Sequence, residues 1–112
     1  TATADQLYVD ALTAVQEARS STLGLFPSYD VDELDRAERL LQQVLDRTES
    51  GSFLALEAHY YLGKVHLAKE RVEAARSHFK TVVAQEGRMA DEARDILDTL
   101  QEEFPMGNDT RQ

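Results

Sequence analysis

LEAHYYLGKVHLAKERVEAARSHFKTVV, residues 56–83, decides the reading of this chain. Two amphipathic helical patterns stand back to back, separated by a short polar turn at Lys69–Arg71. Val72, Ala75, Phe79, Val82 and Val83 follow the i, i+3, i+7, i+10, i+11 rhythm of one buried helix face. Gly63, at the centre of the first helix, has no side chain and admits a close neighbour. Ala75 does the same on the second helix. Phe79 is the large residue that fills the space these two leave.

A helical hairpin of this kind cannot bury both of its faces, so similar units must stack on it. Leu62-Gly63, then Ala75, then Phe79 stand at the spacing of the tetratricopeptide repeat (TPR), a helix–turn–helix unit of ~34 residues, and the stretch resembles that family. The family often has a proline where the second helix ends. Gly87 stands there in this chain, and a glycine ends helices well through a left-handed cap.

Working outward, Thr3 and Gln6 read as a capping box that starts a first helix at about residues 4–18. Its apolar face is Leu7, Tyr8, Ala11, Leu12, Val15 and Ala18. Gly24 and Pro27 break the pattern between residues 19 and 29. Asp30 and Glu33 form a second box-like start, for a helix at 31–47. Ser50-Gly51-Ser52 closes that helix and caps a third at 53–69. A fourth at 71–86 and a fifth at 88–103 follow. Phe104-Pro105 stops the last, and residues 105–112 read as a frayed polar tail.

An internal repeat supports this division. Leu34, Ala37, Leu41, Val44 and Leu45 superpose on Val72, Ala75, Phe79, Val82 and Val83 with a constant offset of 38. The excess over the family period falls at residues 48–53. Tyr8, Ala11, Leu12 and Val15 pair more weakly with His59, Leu62, Gly63 and His66. The fold expected is all-α: five helices in one domain, residues 1–104, arranged as the resemblance implies in a TPR-like right-handed stack of hairpins.

The chain has 112 residues, enough for one domain, and no cysteine, so disulfides and thiolate chemistry are excluded. Its longest apolar runs are far too short to span a bilayer. A start at Thr1 rather than methionine is what an excised piece of a longer protein would have. The net charge of −9, from 21 acidic and 12 basic residues, disfavours nucleic acid as a partner.

His59 and His66 stand seven apart, roughly 10 Å along one helix, too far for one metal ion. His78, on the next helix, is expected to reach only one of them, so no metal and no cofactor are expected. No nucleophile elbow, phosphate loop or metalloprotease motif is present, and the carboxylates of the fifth helix read as a solvated face. The chain is read as no enzyme. Leu23, Leu25, Phe26 and Tyr29 put four large apolar residues into one loop. They are expected to fold back over the first hairpin, or else to form a contact site.

The resemblance also implies a site. In that family the first helix of each hairpin lines a concave groove that holds a peptide. Carried over, it names Val9, Thr13 and Gln16; Glu57, Tyr60, Tyr61, Lys64 and Ala68; and Asp91, Arg94, Asp95, Asp98 and Gln101. Of these, Val9, Thr13, Tyr60, Tyr61, Lys64, Arg94 and Asp98 are the candidate contacts. The positions that clamp an acidic tail in some members carry Val9, Thr13, Tyr61, Asp91 and Asp95, none of them a clamp residue. The function expected is therefore recognition of a neutral to basic protein or peptide segment, as part of a larger assembly. The alternative is a structural module that self-associates and has no groove ligand.

Overall fold

The computed structural model describes residues 2–20 and 30–105. The described chain is all-α, with five helices: α1 (Ala4–Ser20), α2 (Val31–Asp46), α3 (Phe53–Ala68), α4 (Val72–Ala84) and α5 (Ala90–Glu103). Each helix packs on the next in sequence, and α1 also touches α3. The apolar loop residues Leu23, Leu25, Phe26 and Tyr29, and the tail from Met106 onward, lie outside the described residues.

The repeat read from the sequence is a repeat in burial. Leu34, Ala37, Leu41 and Val44 are buried on α2, and Ala75, Phe79 and Val82 on α4. They feed two cores. One joins α1, α2 and α3 through Leu7, Ala11, Ala14, Leu41 and Leu62. The other joins α3, α4 and α5 through Tyr60, Phe79, Ala93 and Leu100. Tyr61 packs against both. Helix α3 contributes to each core, which is why it is apolar nearly all round; a helix of that composition is a buried one.

Phe79 is fully buried, and its ring lies over Gly63. A Cβ at position 63 would come within 2.6 Å of the ring, closer than any side chain tolerates. The small residue and the aromatic are thus two halves of one contact between α3 and α4.

The helix ends differ from the expected ones in instructive ways. At Thr3 only half of the capping box forms. The Gln6 amide donates to Thr3 Oγ1 at 3.1 Å, but the Gln6 side chain donates to Asp10 rather than back to the cap. At Asp30 the carboxylate accepts from the amides of Asp32 and Glu33. The Asp30 amide donates to the carbonyl of Ala18, so the start of α2 is tied to the end of α1. Helix α5 begins at Ala90, two residues later than the pattern suggested, because Arg88 and Met89 form the turn.

Gly87 is not a left-handed cap. Helices α3 and α4 both end in Schellman geometry, and the left-handed residues are Glu70 (φ 63°) and Glu86 (φ 56°). The amide of Arg71 donates to the His66 carbonyl and that of Gly87 to the Val82 carbonyl, as the motif requires. Gly87 serves a close approach instead. A Cβ there would stand 3.2 Å from Leu56 Cβ, so the turn after α4 lies directly on α3.

Substitution tests these contacts. Phe79→Ala should destabilise the protein by about 3–5 kcal/mol, as for other buried aromatics. Gly63→Ala or Gly63→Leu should also destabilise it, although both residues form helices better than glycine does, because overpacking costs about 1–3 kcal/mol. In a Phe79→Leu background the cost of Gly63→Ala should shrink. Urea unfolding of the four proteins of that cycle measures the coupling; additive costs would mean that the ring and the glycine are not one contact.

Glu70→Gly and Glu86→Gly should each stabilise the fold by up to ~1 kcal/mol, since a left-handed backbone disfavours any residue with a Cβ. A lower urea midpoint in both variants would contradict this account of the caps.

Candidate functional site

A groove of about 350 Å³ runs along α3, lined by Val15, Leu34, Tyr60, Tyr61, Lys64, Val65, Ala68 and Met89. Tyr60, Lys64 and Ala68 stand one turn apart on one side of the helix, and Tyr61 and Val65 stand beside them. Val15 of α1, Leu34 of α2 and Met89 from the α4–α5 turn complete the walls. The lining is apolar apart from two phenols and one ammonium. The Lys64 Nζ stands 5.8 Å from the centre of the Tyr60 ring, a cation–π distance.

The aromatic side chains are positioned in sequence, each by the next. Tyr60 meets Phe79 edge to face at 5.8 Å, Tyr61 meets Tyr60 at 5.2 Å, and Tyr8 of α1 meets Tyr61 at 6.1 Å. Only 6 % of Tyr60 is exposed, so this residue is mostly core and offers the groove little more than an edge. Burial, and then the neighbouring Tyr61, push its phenol up from the ordinary value. Tyr61 is half-buried and Lys64 exposed, so these two carry most of what a ligand can reach.

The other candidates are distributed elsewhere. Val9 and Thr13 are exposed on α1 and are not part of this groove; the Thr13 hydroxyl donates to the Val9 carbonyl of its own helix. Arg94 is exposed and bonded to Asp91 at 2.9 Å. Asp98 is exposed on α5 with Asp91, Glu92, Asp95 and Gln101. Four of the seven candidate contacts, Val9, Thr13, Arg94 and Asp98, thus lie outside the groove that Tyr60, Tyr61 and Lys64 line.

Glu57 is a clear correction. The family resemblance put it on the binding surface, but only 2 % of it is exposed. Its carboxylate accepts from the Tyr8 hydroxyl at 2.8 Å and from both arms of Arg88, at 2.9 and 3.1 Å. A buried carboxylate needs such partners, and a fork-shaped guanidinium is the best of them. The consequence for Tyr8 is large. Burial first, and then the bond to Glu57, push its phenol well above the ordinary value. The signal in the sequence was the setting of Glu57: an acid within a helix apolar nearly all round is a candidate for burial, and a buried acid must be paired.

Two further arrangements were not read from the sequence. Arg76 is 4 % exposed, and its guanidinium donates to the Phe104 carbonyl at 2.7 Å, closing the end of α5 from α4. On another face, the Lys69 ammonium donates to Asp35 and Glu38, and Arg71 also donates to Glu38. The Lys69 bond holds Asp35 below its usual range. Burial works to raise Glu38, but the bond to Lys69 and the charges of Lys69, His66 and Arg71 together outweigh it, and the carboxyl is lowered.

Among the described residues no group of three or more His, Cys, Asp or Glu side chains is arranged to hold a metal ion. Among those residues, too, no helix is long and apolar enough to cross a membrane.

Arg88→Met should lower the urea midpoint clearly, because it strips a buried carboxylate of its charged partner. Arg71→Met, which breaks an exposed pair, should cost about 0–1 kcal/mol. Equal urea midpoints for the two variants would show that Glu57 is not held as described.

Comparison with protein-family models, with curated proteins and with solved structures finds no match.

Proposed function

We propose that this chain is a non-catalytic recognition module, a TPR-like stack of helical hairpins that holds a protein or peptide segment in the groove along α3. The observation that carries this reading is the groove itself. It has an apolar floor, a half-buried tyrosine and an exposed lysine, set on the helix that both cores hold in place. Tyrosine combines large apolar area with a polar tip, and so serves well at a binding surface. The packing of Phe79 on Gly63, with Ala75 buried beside them, supports the TPR-like reading.

The volume suits one or two apolar side chains rather than a whole peptide. The rest of the bound segment would lie over the flanking surface, where α5 presents Asp91, Glu92, Asp95 and Asp98 to solvent. That field favours a neutral or basic segment and disfavours an acidic one. The partner proposed is thus a segment with an aromatic or aliphatic anchor beside basic residues, and not a nucleic acid.

The test is a titration with labelled peptides, basic and acidic versions of one aromatic-bearing sequence, at low and moderate salt. The basic peptide should bind more tightly, and salt should narrow the difference. Tyr61→Ala, confirmed folded by circular dichroism, should weaken binding by roughly tenfold or more. Tighter binding of the acidic peptide, lost on Lys64→Ala, would overturn the assignment. Light scattering on the same samples addresses self-association: a dimer that Tyr61→Ala dissolves would make a second copy of the chain the groove's occupant.

A further inference from the structure

His59 and His66 of α3 and His78 of α4 converge on one place, contrary to the expectation that His78 reaches only one of the others. His59 Nδ1 and His78 Nδ1 are 2.9 Å apart, and His66 stacks on His78 with ring centres 5.3 Å apart and planes only 7° from parallel. His66 is 6 % exposed, and its Nδ1 is buried with no hydrogen-bond partner among the described residues. The ring centres of His59 and His78 are 5.2 Å apart, about the bonded distance plus one ring radius at each end. The two Nδ1 atoms therefore point at each other, as in an N–H···N bond, and do not converge on a common point as metal ligands do.

This arrangement tolerates neutral rings and resists cationic ones. Between neutral rings, one Nδ1–H donates and the other Nδ1 accepts. A first proton puts a charge into a close trio, His66 buried and His59 and His78 half-buried. A second, on the remaining partner of the pair, turns both Nδ1 atoms into donors and abolishes the bond. The charges that act on the rings are mixed. Glu38 of α2 favours protonation of His66 and His78, whereas Lys69 and Arg71 of the α3–α4 turn oppose it at His66. Lys69 is itself engaged with Asp35 and Glu38.

We propose that His59, His66 and His78 form an acid-labile clasp between α3 and α4, which holds the hairpin closed at neutral pH and forces its helices apart on mild acidification. The clasp is independent of any ligand in the groove.

Burial leads the depression of all three rings below 6.5, and for His78, with its two neighbouring histidines, down to about 4. The sign follows. The unfolded chain binds these protons first, so the stability that neutral rings contribute is fully present above 6.5. It is lost as pH falls through the lowered values.

The experiment follows the three imidazole resonances by NMR, together with the melting temperature, from about pH 7.5 to about pH 3. His78→Gln and His78→Phe, neither of which titrates, are run alongside. All three wild-type histidines should titrate below the ordinary value, His78 lowest. The wild-type melting temperature should fall more steeply across that window than that of either variant. The carboxylates are common to all three proteins, so their titration cancels in the comparison. An equal slope in wild type and folded variants overturns the proposal. If neither variant folds, the wild-type resonances decide alone: three ordinary midpoints overturn it.

Discussion

The ring of Phe79 resting on the bare backbone of Gly63 sets the distance between α3 and α4, and much else is built on that distance. Tyr60 leans on the same ring, Tyr61 on Tyr60, and Tyr8 on Tyr61. This line of aromatic edges runs from the second core to the first helix. It crosses the boundary between the two cores at Tyr61, which belongs to both. A side chain at position 63 would push Phe79 outward, and each ring in the line would have to follow. The reason is density: a packed interior has no free volume in which such a displacement can be absorbed.

The groove inherits its shape from this packing. Its accessible residues, Tyr61 and Lys64, stand on a helix held from both sides, so their backbone is presented in a fixed position. Rigid presentation lowers the ordering cost of binding. Tyr60 has a double role, with its body in the core and an edge in the groove wall. A substitution there would confound stability with affinity, whereas Lys64, exposed and bonded mainly through its cation–π contact, separates the two.

Most of the fold was legible because helical periodicity and one internal repeat are strong signals. Leu34 to Leu45 and Val72 to Val83 are apolar at the same five positions, and the structure buries the middle three alike, although Leu34 is buried where Val72 is only half-buried. The five helices fall within a few residues of the expected bounds. What escaped were features that depend on three-dimensional pairing. Glu57 and Tyr8 are far apart in sequence, as are Glu57 and Arg88, and no local rule joins them. The left-handed caps at Glu70 and Glu86 escaped because glutamate does not advertise that conformation, while Gly87, which does, is used for a close approach to Leu56. The candidate site was legible only in its centre: Tyr60, Tyr61 and Lys64 share a groove, whereas Val9, Thr13, Arg94 and Asp98 lie apart from it. Spacing along a helix identifies a face but not the depth to which its neighbours cover it.

Glu57 has a consequence for how the molecule comes apart. In a linear stack of helices each unit is stabilised by its immediate neighbours, and the ends fray independently of the middle. A carboxylate on α3 that binds Tyr8 of α1 on one side and Arg88, beyond α4, on the other ties the two ends of the described chain to its middle helix. Loss of either end exposes a charge in the centre to an incomplete set of partners. The penalty for fraying at either end is therefore felt on α3, between the two cores.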